Sequence, residues 1–534
     1  MSASAGTEKA ASPAAEAPKS GGELLYCGAT NFDAINRKLP SGMQGNLVSP
    51  TRLRSLMGVD IVSVASGCAA CHCVALGADG RCYTWGRNEK GQLGHGDTLQ
   101  RNLPTVVSEL SKYKIIKASV GKNHTVVVTD DGKSFAFGHN KFGQLGTGSL
   151  KNEIEASPVP CLVTEVTGVA CGGDFTVWLS SVEGSTILTA GLPQYGQLGH
   201  GTDNEYNTKD SSVKLSYEPQ PRPRAIAALS EKTIVKVACG TNHTVVFYSF
   251  LFYLARWGFG GYGRLGHREQ KDEWQPRLVE IFQRNNVLPP NAILSAGSAN
   301  CACTAGGGQL YMWGKMKTTG DDTMYPKPLM DLSGWNIRCM ASGTMHHVVG
   351  ADDSCISWGN AQYGELGYGP KGQKSSANPK KVDSLEGMHV TGVGCGFGLS
   401  LIIVDRAKAG DKLDQLDIYD GDTSTPVEET VEPKVTKKAP ASASKSNKRK
   451  KTKDLSESEE EDEDESEDDE DDDARGAKGK RGRKPSGRGR GRGAKKATPE
   501  PKPSGRGRGR PKKTESPAES SGRGGKRGRG RARK

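Results

Sequence analysis

The sequence predicts an all-β fold, a seven-bladed β-propeller over residues 21–405 that is closed by its own N- and C-terminal strands and trailed by a long disordered C-terminal tail. Three observations carry this reading. An aromatic-Gly pair followed by a loop and Gly-x-Leu-Gly recurs about every fifty residues. It reads W-G-R-N-E-K-G-Q-L-G from Trp85, F-G-H-N-K-F-G-Q-L-G from Phe137, A-G-L-P-Q-Y-G-Q-L-G from Ala190, W-G-F-G-G-Y-G-R-L-G from Trp257 and W-G-N-A-Q-Y-G-E-L-G from Trp358. A second phrase, an apolar stretch ending in Gly, alternates with it at Gly67, Gly121, Gly172, Gly240, Gly297, Gly343 and Gly396, at spacings of 46 to 68 residues. The partners in the first series are Gly28, Gly86, Gly138, Gly191, Gly258, Gly314 and Gly359, again seven. Self-similarity at such a period marks a repeat architecture.

Within a unit, short apolar runs such as Thr125 to Val128 flank turns such as Asp79-Gly80 and Asp131-Gly132. Asp-Gly between apolar runs is a strong hairpin signal, so each unit is expected to be one blade of about four antiparallel strands. Frequent glycines disfavour an α-solenoid of similar period. A lone blade leaves both faces exposed, so blades must stack around an axis and the last must meet the first. The chain starts mid-repeat with L-L-Y-C-G at Leu24 and ends the pattern mid-repeat with V-T-G-V-G-C-G-F-G-L-S-L-I-I-V at Val390. The N-terminal strands are therefore expected to complete the blade that the C-terminal ones begin.

Residues 1–20, rich in Ala, Ser and Pro, are expected to be disordered and carry no apolar segment of the kind a secretory leader uses. The longest apolar run, Val245 to Ala255, is too short to span a bilayer, so no membrane contact is expected and a monomer is. The thirteen cysteines are expected to be packed thiols. Cys171, Cys239 and Cys395 each precede a repeat glycine and so share one packing position. In C-A-A-C-H-C, Cys68, Cys71, His72 and Cys73 are the zinc candidates, but neighbours on a strand face opposite sides, which spoils a tetrahedral set. Repeat-phased His124, His243 and His346 are expected to be scaffold groups bonding nearby backbone, and Trp85, Trp257, Trp313 and Trp358 to be core wedges. His95 with Asp97 makes no catalytic constellation. No catalytic residue, metal or cofactor is expected.

The repeated W-G-x-x-x-x-G-Q-L-G phrase resembles the regulator of chromosome condensation family of seven-bladed propellers over residues 21–405. L-L-Y-C-G-A-T-N-F-D from Leu24, W-G-R-N-E-K-G-Q-L-G-H-G-D from Trp85, W-G-F-G-G-Y-G-R-L-G-H from Trp257 and T-M-Y-P-K from Thr323 are similar to its second branch. The resemblance implies chromatin association, small-GTPase regulation and a role around mitosis.

Departures from the repeat mark candidate rim segments, because the scaffold does not demand them. The first unit reads A-T-N-F-D-A-I-N-R-K after Gly28, and the sixth reads K-M-K-T-T-G-D-D-T-M-Y-P-K after Gly314, both without Gly-x-Leu-Gly. Glu205 to Ile234 and Asp272 to Asn291 lengthen their units and are expected to protrude as loops. Phe247 to Trp257 lacks turn chemistry where a hairpin turn belongs. It is either an exposed apolar contact patch or a coding sequence misread at a splice junction. The second is favoured, and transcript sequencing settles it.

Beyond Val404 aromatics nearly vanish and charge segregates, so residues 406–534 are expected not to fold alone. A linker, 406–453, ends in a basic cluster that includes Lys448, Arg449, Lys450 and Lys451 and suits nuclear import. The acidic tract 454–473 holds 16 carboxylates and no Lys or Arg, with Ser456, Ser458 and Ser466 each three residues before an acid, as acidophilic kinases require. Such a tract could engage histone tails, fold back on the adjacent basic segment, or serve only solubility. Residues 474–534 carry 24 basic and 3 acidic side chains. There Arg481-Gly-Arg483, Arg508-Gly-Arg510-Pro and the looser Arg529-Gly-Arg531 resemble AT-hooks, in which glycine lets two arginines enter A·T-rich minor groove. Neighbouring Gly-Arg repeats would equally suit RNA.

The leading functional expectation is a nuclear, chromatin-associated scaffold that binds protein partners and tethers to DNA through its tail. The alternative is a guanine-nucleotide exchange factor, which needs no acid-base residues because it only binds the nucleotide-free GTPase better. Deleting residues 21–30 is expected to open the ring and abolish cooperative unfolding. An unchanged calorimetric transition would refute the closure.

Overall fold

The computed structural model describes residues 21–35, 45–207, 215–248, 253–283, 286–317 and 322–421. Seven antiparallel sheets follow the repeats, numbered here by their aromatic-Gly pairs. Blade 2 has strands Ile61–Ala65, His72–Gly77, Cys82–Gly86 and Arg101–Val106, in that order from the axis outward. Blade 3 repeats the meander with Ile115–Val120, His124–Thr129, Ser134–His139 and Ile154–Pro160. Blades 4 to 7 start at inner strands Val166–Cys171, Ile234–Cys239, Leu294–Ala296 and Ile337–Ser342. Each inner strand touches the next around the ring, and Val390–Cys395 of blade 1 touches Ile61–Ala65 of blade 2. The propeller therefore closes with seven blades.

Closure uses both ends of the sequence, as expected. Glu23–Gly28 pairs antiparallel with Leu399–Val404, in register from Glu23 with Val404 to Gly28 with Leu399. The Glu23 carboxylate, 1% exposed, accepts from Arg52 at 3.0 Å and from Arg406 at 3.1 Å. The ordered body also runs past the expected boundary at 405. Asp405 caps a short helix, Arg406–Ala409, by accepting from two backbone amides. A 3-10 turn and the strand Ile418–Tyr419 follow, the strand pairing parallel to Arg52 and Leu53. Ala409 and Leu413 are buried and Arg406 binds Asp60, so this strap is fastened to the closing blade. Its apolar residues are few and dispersed, which hid it among linker residues.

The core is not central but lies between blades. One cluster joins Val245, Phe247 and Leu254 of blade 5 to Cys301, Cys303 and Trp313 of blade 6, and another joins Val126 and Val128 of blade 3 to Trp178 and Ala190 of blade 4. The middle strands are consequently buried on both faces and read as continuous apolar runs, whereas outer strands alternate. The four phased tryptophans are core wedges, each at most 3% exposed. Every outer strand carries a proline, at positions 50, 104, 158, 223, 276, 326 and 379. A proline removes an edge donor and protects these strands from pairing with other chains.

The histidines expected to bond backbone instead bond the neighbouring blade. His72 Nε2 lies 2.9 Å from Thr125 Oγ1, His124 Nε2 2.9 Å from Thr176 Oγ1, and His346 Nε2 3.0 Å from Ser400 Oγ. The hydroxyls in turn donate to the carbonyls of Gln92, Gln144 and Glu365 in the preceding blade's loop. His243 reaches Cys301 Sγ at 3.0 Å in the same way. Each relay stitches two blades. The repeat glycine is needed beneath it: a Cβ on Gly121 would stand 2.1 Å from the His124 ring, and one on Gly240 2.0 Å from His243.

Three other expectations change. Residues 29–35 are not a free rim, since Phe32 and Ile35 are buried against Trp85 and their carbonyls accept from Arg87 at 2.7–3.2 Å. Of the lengthened segments, Glu205–Asn207 and Leu215–Tyr217 form a separate hairpin, whereas Asp272 to Asn291 supplies an outer strand and buries Phe282 and Leu288 rather than protruding. Of Phe247 to Trp257, the described residues form no exposed patch, because His243–Tyr248 and Tyr253–Gly258 pair in their sisters' register and bury Phe247, Tyr248 and Leu254, while residues 249–252 lie outside the described ones. Arg256 is the misfit. It stands where other blades place Thr84, Thr189 or Ser357 and is fully buried, and among the described residues its guanidinium meets no oxygen acceptor, only the Cys301 thiol and the Trp313 ring.

Burial holds His72, His124 and His347 down to about 3, and His243 and His346 below the usual imidazole range. Between about pH 3 and 6.5 the unfolded chain binds protons that the folded one refuses, so stability is complete above about pH 6.5 and falls as the pH falls. Each such histidine contributes a slope of about 1.4 kcal/mol per pH unit. Blade 4 already places Phe175 at the histidine position. The variant His124→Phe is therefore expected to fold and to flatten the pH dependence of urea unfolding between pH 6 and 4 by about one proton. An unchanged slope would show that His124 does not titrate on unfolding.

Candidate partner-docking face

Arg481, Arg483, Arg508, Arg510, Arg529 and Arg531, the import residues Lys448, Arg449, Lys450 and Lys451, and Ser456, Ser458 and Ser466 all lie outside the described residues. The zinc candidates do not converge as a set, since Cys71 and Cys73 pack into one apolar cluster while the others turn elsewhere. Cys68 Sγ meets Thr241 Oγ1 at 3.5 Å, His72 belongs to its relay, and burial pushes the Cys68 and Cys73 thiols up, away from the thiolate that a metal takes. None of the thirteen cysteines, all within the described residues, forms a disulfide. His95 and Asp97 brace a loop: His95 bonds Thr84 Oγ1 at 2.9 Å, and the Asp97 carboxyl, held down to about 2 chiefly by Arg101, also anchors Asn88.

Two kinds of loop share one face of the ring, the turns leaving the inner strands and the Gly-x-Leu-Gly loops. At the centre the blade 2 turn reaches across the axis. Cys68 contacts Thr241 of blade 5, its carbonyl accepts from Thr344 of blade 7, and Thr241 donates to Ser298 of blade 6 at 3.0 Å. Further out on this face lie the Gly-x-Leu-Gly loops.

Four of those loops share one internal bond. The Gln side chain of G-Q-L-G, or its Glu equivalent, accepts the backbone amide two residues earlier, as Gln92 from Lys90 at 2.8 Å, Gln144 from Phe142 at 3.0 Å, Gln197 from Tyr195 at 2.7 Å and Glu365 from Tyr363 at 2.7 Å. Blade 5 has Arg264 at this place, and a guanidinium only donates. The loop refolds accordingly. Gly261–Gly263 becomes a 3-10 turn with Tyr262 in the left-handed region at φ 59°. Arg264 donates to the carbonyls of Gly261 and Ser298, both at 3.0 Å, and stacks on Phe259 with its Cζ 4.4 Å from the ring centre. Phe259 packs on Tyr195 of blade 4 at 4.5 Å between ring centres, and Lys315 of blade 6 lies over Tyr262 at 4.3 Å.

Blades 4 to 6 thus present a run of aromatic rings interleaved with cations, where blades 2 and 3 present the regular loop. Strained backbone gathers at functional sites, and cation–π pairs hold a polar surface in fixed geometry. The expected rim at Lys315 to Lys327 contributes Lys315 and Tyr325, while residues 318–321 lie outside the described ones. The blade 5 loop was missed because G-R-L-G looks like one more copy of the repeat. The only sequence signal was a donor-only side chain where four sister loops need an acceptor.

The model of the regulator of chromosome condensation (RCC1) repeat matches residues 79–128, 131–179, 186–247, 256–301 and 352–403, and a second model of that repeat matches 61–92 and 115–144. The protein RCC2 of Mus musculus is 40% identical over 430 residues, covering 76% of this chain and 81% of the relative. The Homo sapiens protein RCC2 is 40% identical over 412 residues, covering 73% and 77%. Among solved structures, yeast RCC1 (Prp20) bound to Kap60 has a TM-score of 0.59 at 19% identity, covering 78% of this chain and 98% of that one. Human WBSCR16 has a TM-score of 0.57 at 20% identity, covering 72% and 99%. The structural likeness is one of fold, and the sequence likeness is one of descent. The chain belongs to the regulator of chromosome condensation family, as a propeller of the RCC2 type.

Proposed function

We propose that this protein is a nuclear, chromatin-associated scaffold whose propeller docks protein partners, a small GTPase and histones among them, in chromosome organisation and mitosis, while its basic tail tethers it to DNA. One observation carries the tether: residues 474–534 hold 24 basic and 3 acidic side chains, directly behind a tract of 16 carboxylates. Most of what binds a duplex is phosphate neutralisation, which needs cationic density rather than a folded surface. Arg481, Arg483, Arg508, Arg510, Arg529 and Arg531 sit in Arg-Gly-Arg phrases that suit A·T-rich minor groove, with RNA as a further target of the Gly-Arg repeats. Lys448, Arg449, Lys450 and Lys451 form the import cluster, and phosphorylation of Ser456, Ser458 and Ser466 would deepen the acidic charge.

The partner half of the reading rests on kinship and on the loop face. A yeast propeller of this fold, Prp20p, was characterised for its binding to Gsp1p and histones. Docking through loops needs no acid-base residues, and tethering raises a partner's local concentration near DNA without new contacts. Exchange of guanine nucleotide on the docked GTPase is the narrower form of the reading. It requires that the propeller prefer the nucleotide-free state.

If six arginines neutralise phosphates, the logarithm of the full chain's DNA affinity is expected to fall with the logarithm of salt at a slope of about −5. A chain ending at Gly421 is expected to lose at least about a hundredfold in affinity at low salt. Equal binding by the shortened chain, measured by fluorescence anisotropy, would end the tether reading. Release of fluorescent nucleotide from a panel of small GTPases separates exchange from scaffolding, since no acceleration by the protein leaves only the scaffold.

A further inference from the structure

We propose that the outer rim where blade 5 meets blade 6 is a docking site for an acidic peptide segment of a partner protein, recognised by Arg268 and Lys327 around the exposed ring of Tyr325. This site is independent of the tail. The inference starts from a backbone position. In four loops the second residue after Gly-x-Leu-Gly is itself a glycine in the left-handed region: Gly96 at φ 83°, Gly148 at 80°, Gly201 at 86° and Gly369 at 80°. Each donates its amide to the next blade's outer strand, at Ala156, Pro221, Trp274 and Val48, over 2.8–3.0 Å. Blade 5 makes the same bond, to Met324 at 2.9 Å, from Arg268 at φ 67°.

The scaffold therefore asks for glycine here, and a β-carbon in this region is unfavourable. Nothing in the bond to Met324 uses the side chain. The guanidinium extends instead over the ring of Tyr325, with Cζ 5.6 Å from its centre, and Lys327 Nζ lies 5.1 Å from the same centre. At the matching place on the other outer strands stand Ser49, Ser157, Arg222 and Gln275, beside glycine and without a ring. The pairing of glycine with a polar residue has been replaced by a cation and an aromatic on two different blades.

Tyr325 is 42% exposed. Among the described residues neither Arg268 nor Lys327 meets a carboxylate. The nearby Glu269 and Glu273 are both occupied by Arg277, at 2.6 and 2.5 Å. Two cations that meet no carboxylate among the described residues, set over one open ring, fit carboxylates flanked by short apolar stems. Pro326 and Pro328 remove amide donors from this outer strand, so a partner is recognised through side chains rather than added as another strand.

The test uses the full chain and a photo-cross-linking peptide of alternating Asp and Glu bearing a benzophenone, with cross-links located by mass spectrometry. Cross-links are expected within residues 262–330, reduced roughly fivefold or more in Arg268→Gly and in Lys327→Ser, and retained in the presence of oligo-dT. Arg268→Gly restores the residue that the sister loops carry, so its thermal midpoint is expected to equal or exceed that of the parent, which separates lost docking from lost folding. Cross-links confined to 474–534, labelling unchanged in Arg268→Gly, displacement by oligo-dT (which would make the ligand nucleic acid), or a lowered midpoint that assigns Arg268 to the scaffold would each overturn the proposal.

Discussion

The strand pairing of Glu23–Gly28 with Leu399–Val404 is the interaction on which the ring depends. No blade has a core of its own, since each apolar cluster is shared across an interface. A ring open at one seam would expose two apolar faces at once, lined by residues such as Leu24, Tyr26, Leu401 and Ile403. The seam is also where charge is buried. Glu23 satisfies Arg52 and Arg406 together, so withdrawing the N-terminal strand leaves two cations without their shared carboxylate. The loss is smaller than the about 3–5 kcal/mol of a fully uncompensated buried charge, because Arg52 keeps Asp414 and Arg406 keeps Asp60. Sequence ends that are far apart in the chain thus hold each other in place, and the strap of residues 406–421 fastens the seam from outside.

Much of this was legible, because a propeller writes its geometry into glycine. All seven glycines of the aromatic-Gly pairs have φ between 95° and 124°, and a β-carbon there would collide with the carbonyl before the second strand, as at Gly138, where Asn123 O would lie 2.4 Å away. Such a demand repeats once per blade and gives blade number and phase directly. What escaped had no period. The His relay depends on a hydroxyl about fifty residues on, in another blade, and nothing local distinguishes an imidazole bonding backbone from one bonding Thr125. The strap was hidden by its sparse apolar content. Phe32 and Ile35 stood in a segment that merely lacked a motif, although they pack in one cluster with Trp85, as Leu145 does with Trp178 and Leu198 with Trp257. The seven outer-strand prolines were visible in the sequence, one per unit, and went unused because prolines in loop-like stretches look like turn residues.

The same repetition makes functional inference possible without a catalytic group. In a repeated scaffold each position has up to seven solutions to one structural problem, so a residue that departs from the others can be judged against them. Phe175 in place of histidine passes that comparison, since it preserves packing over Gly172. Arg256 fails it, being a buried cation that meets no oxygen acceptor among the described residues in a position where sister blades place a hydroxyl. A buried, uncompensated guanidinium is unfavourable by several kcal/mol in real proteins, and the stacking of Arg256 on Trp313 at 4.3 Å offsets only part of that.

The blade 5 loop shows how one substitution propagates along a chain of causes. Arg264 cannot accept the amide that Gln accepts in sister loops, so the turn tightens, Tyr262 enters the left-handed region, and its ring comes under Lys315 of the next blade. Arg268 then occupies a glycine position four residues later. Two left-handed non-glycine residues on one loop set it apart from sister loops, which place a glycine at the Arg268 position and keep Lys90, Phe142, Tyr195 and Tyr363 out of that region. Strain of this size, of order 1–3 kcal/mol per residue, persists only where surrounding structure enforces it. Here that enforcement comes from the amide bond to Met324 and from stacking across two blades. The outcome is a rigid display of cations on aromatic faces at the periphery, set on a ring whose centre is crossed by the blade 2 turn. Rigid display lowers the entropy lost on docking. On the proposed reading, a partner would meet a preformed surface on the propeller while a nucleic acid would meet the predominantly cationic residues 474–534, so the two binding tasks need not compete for the same residues.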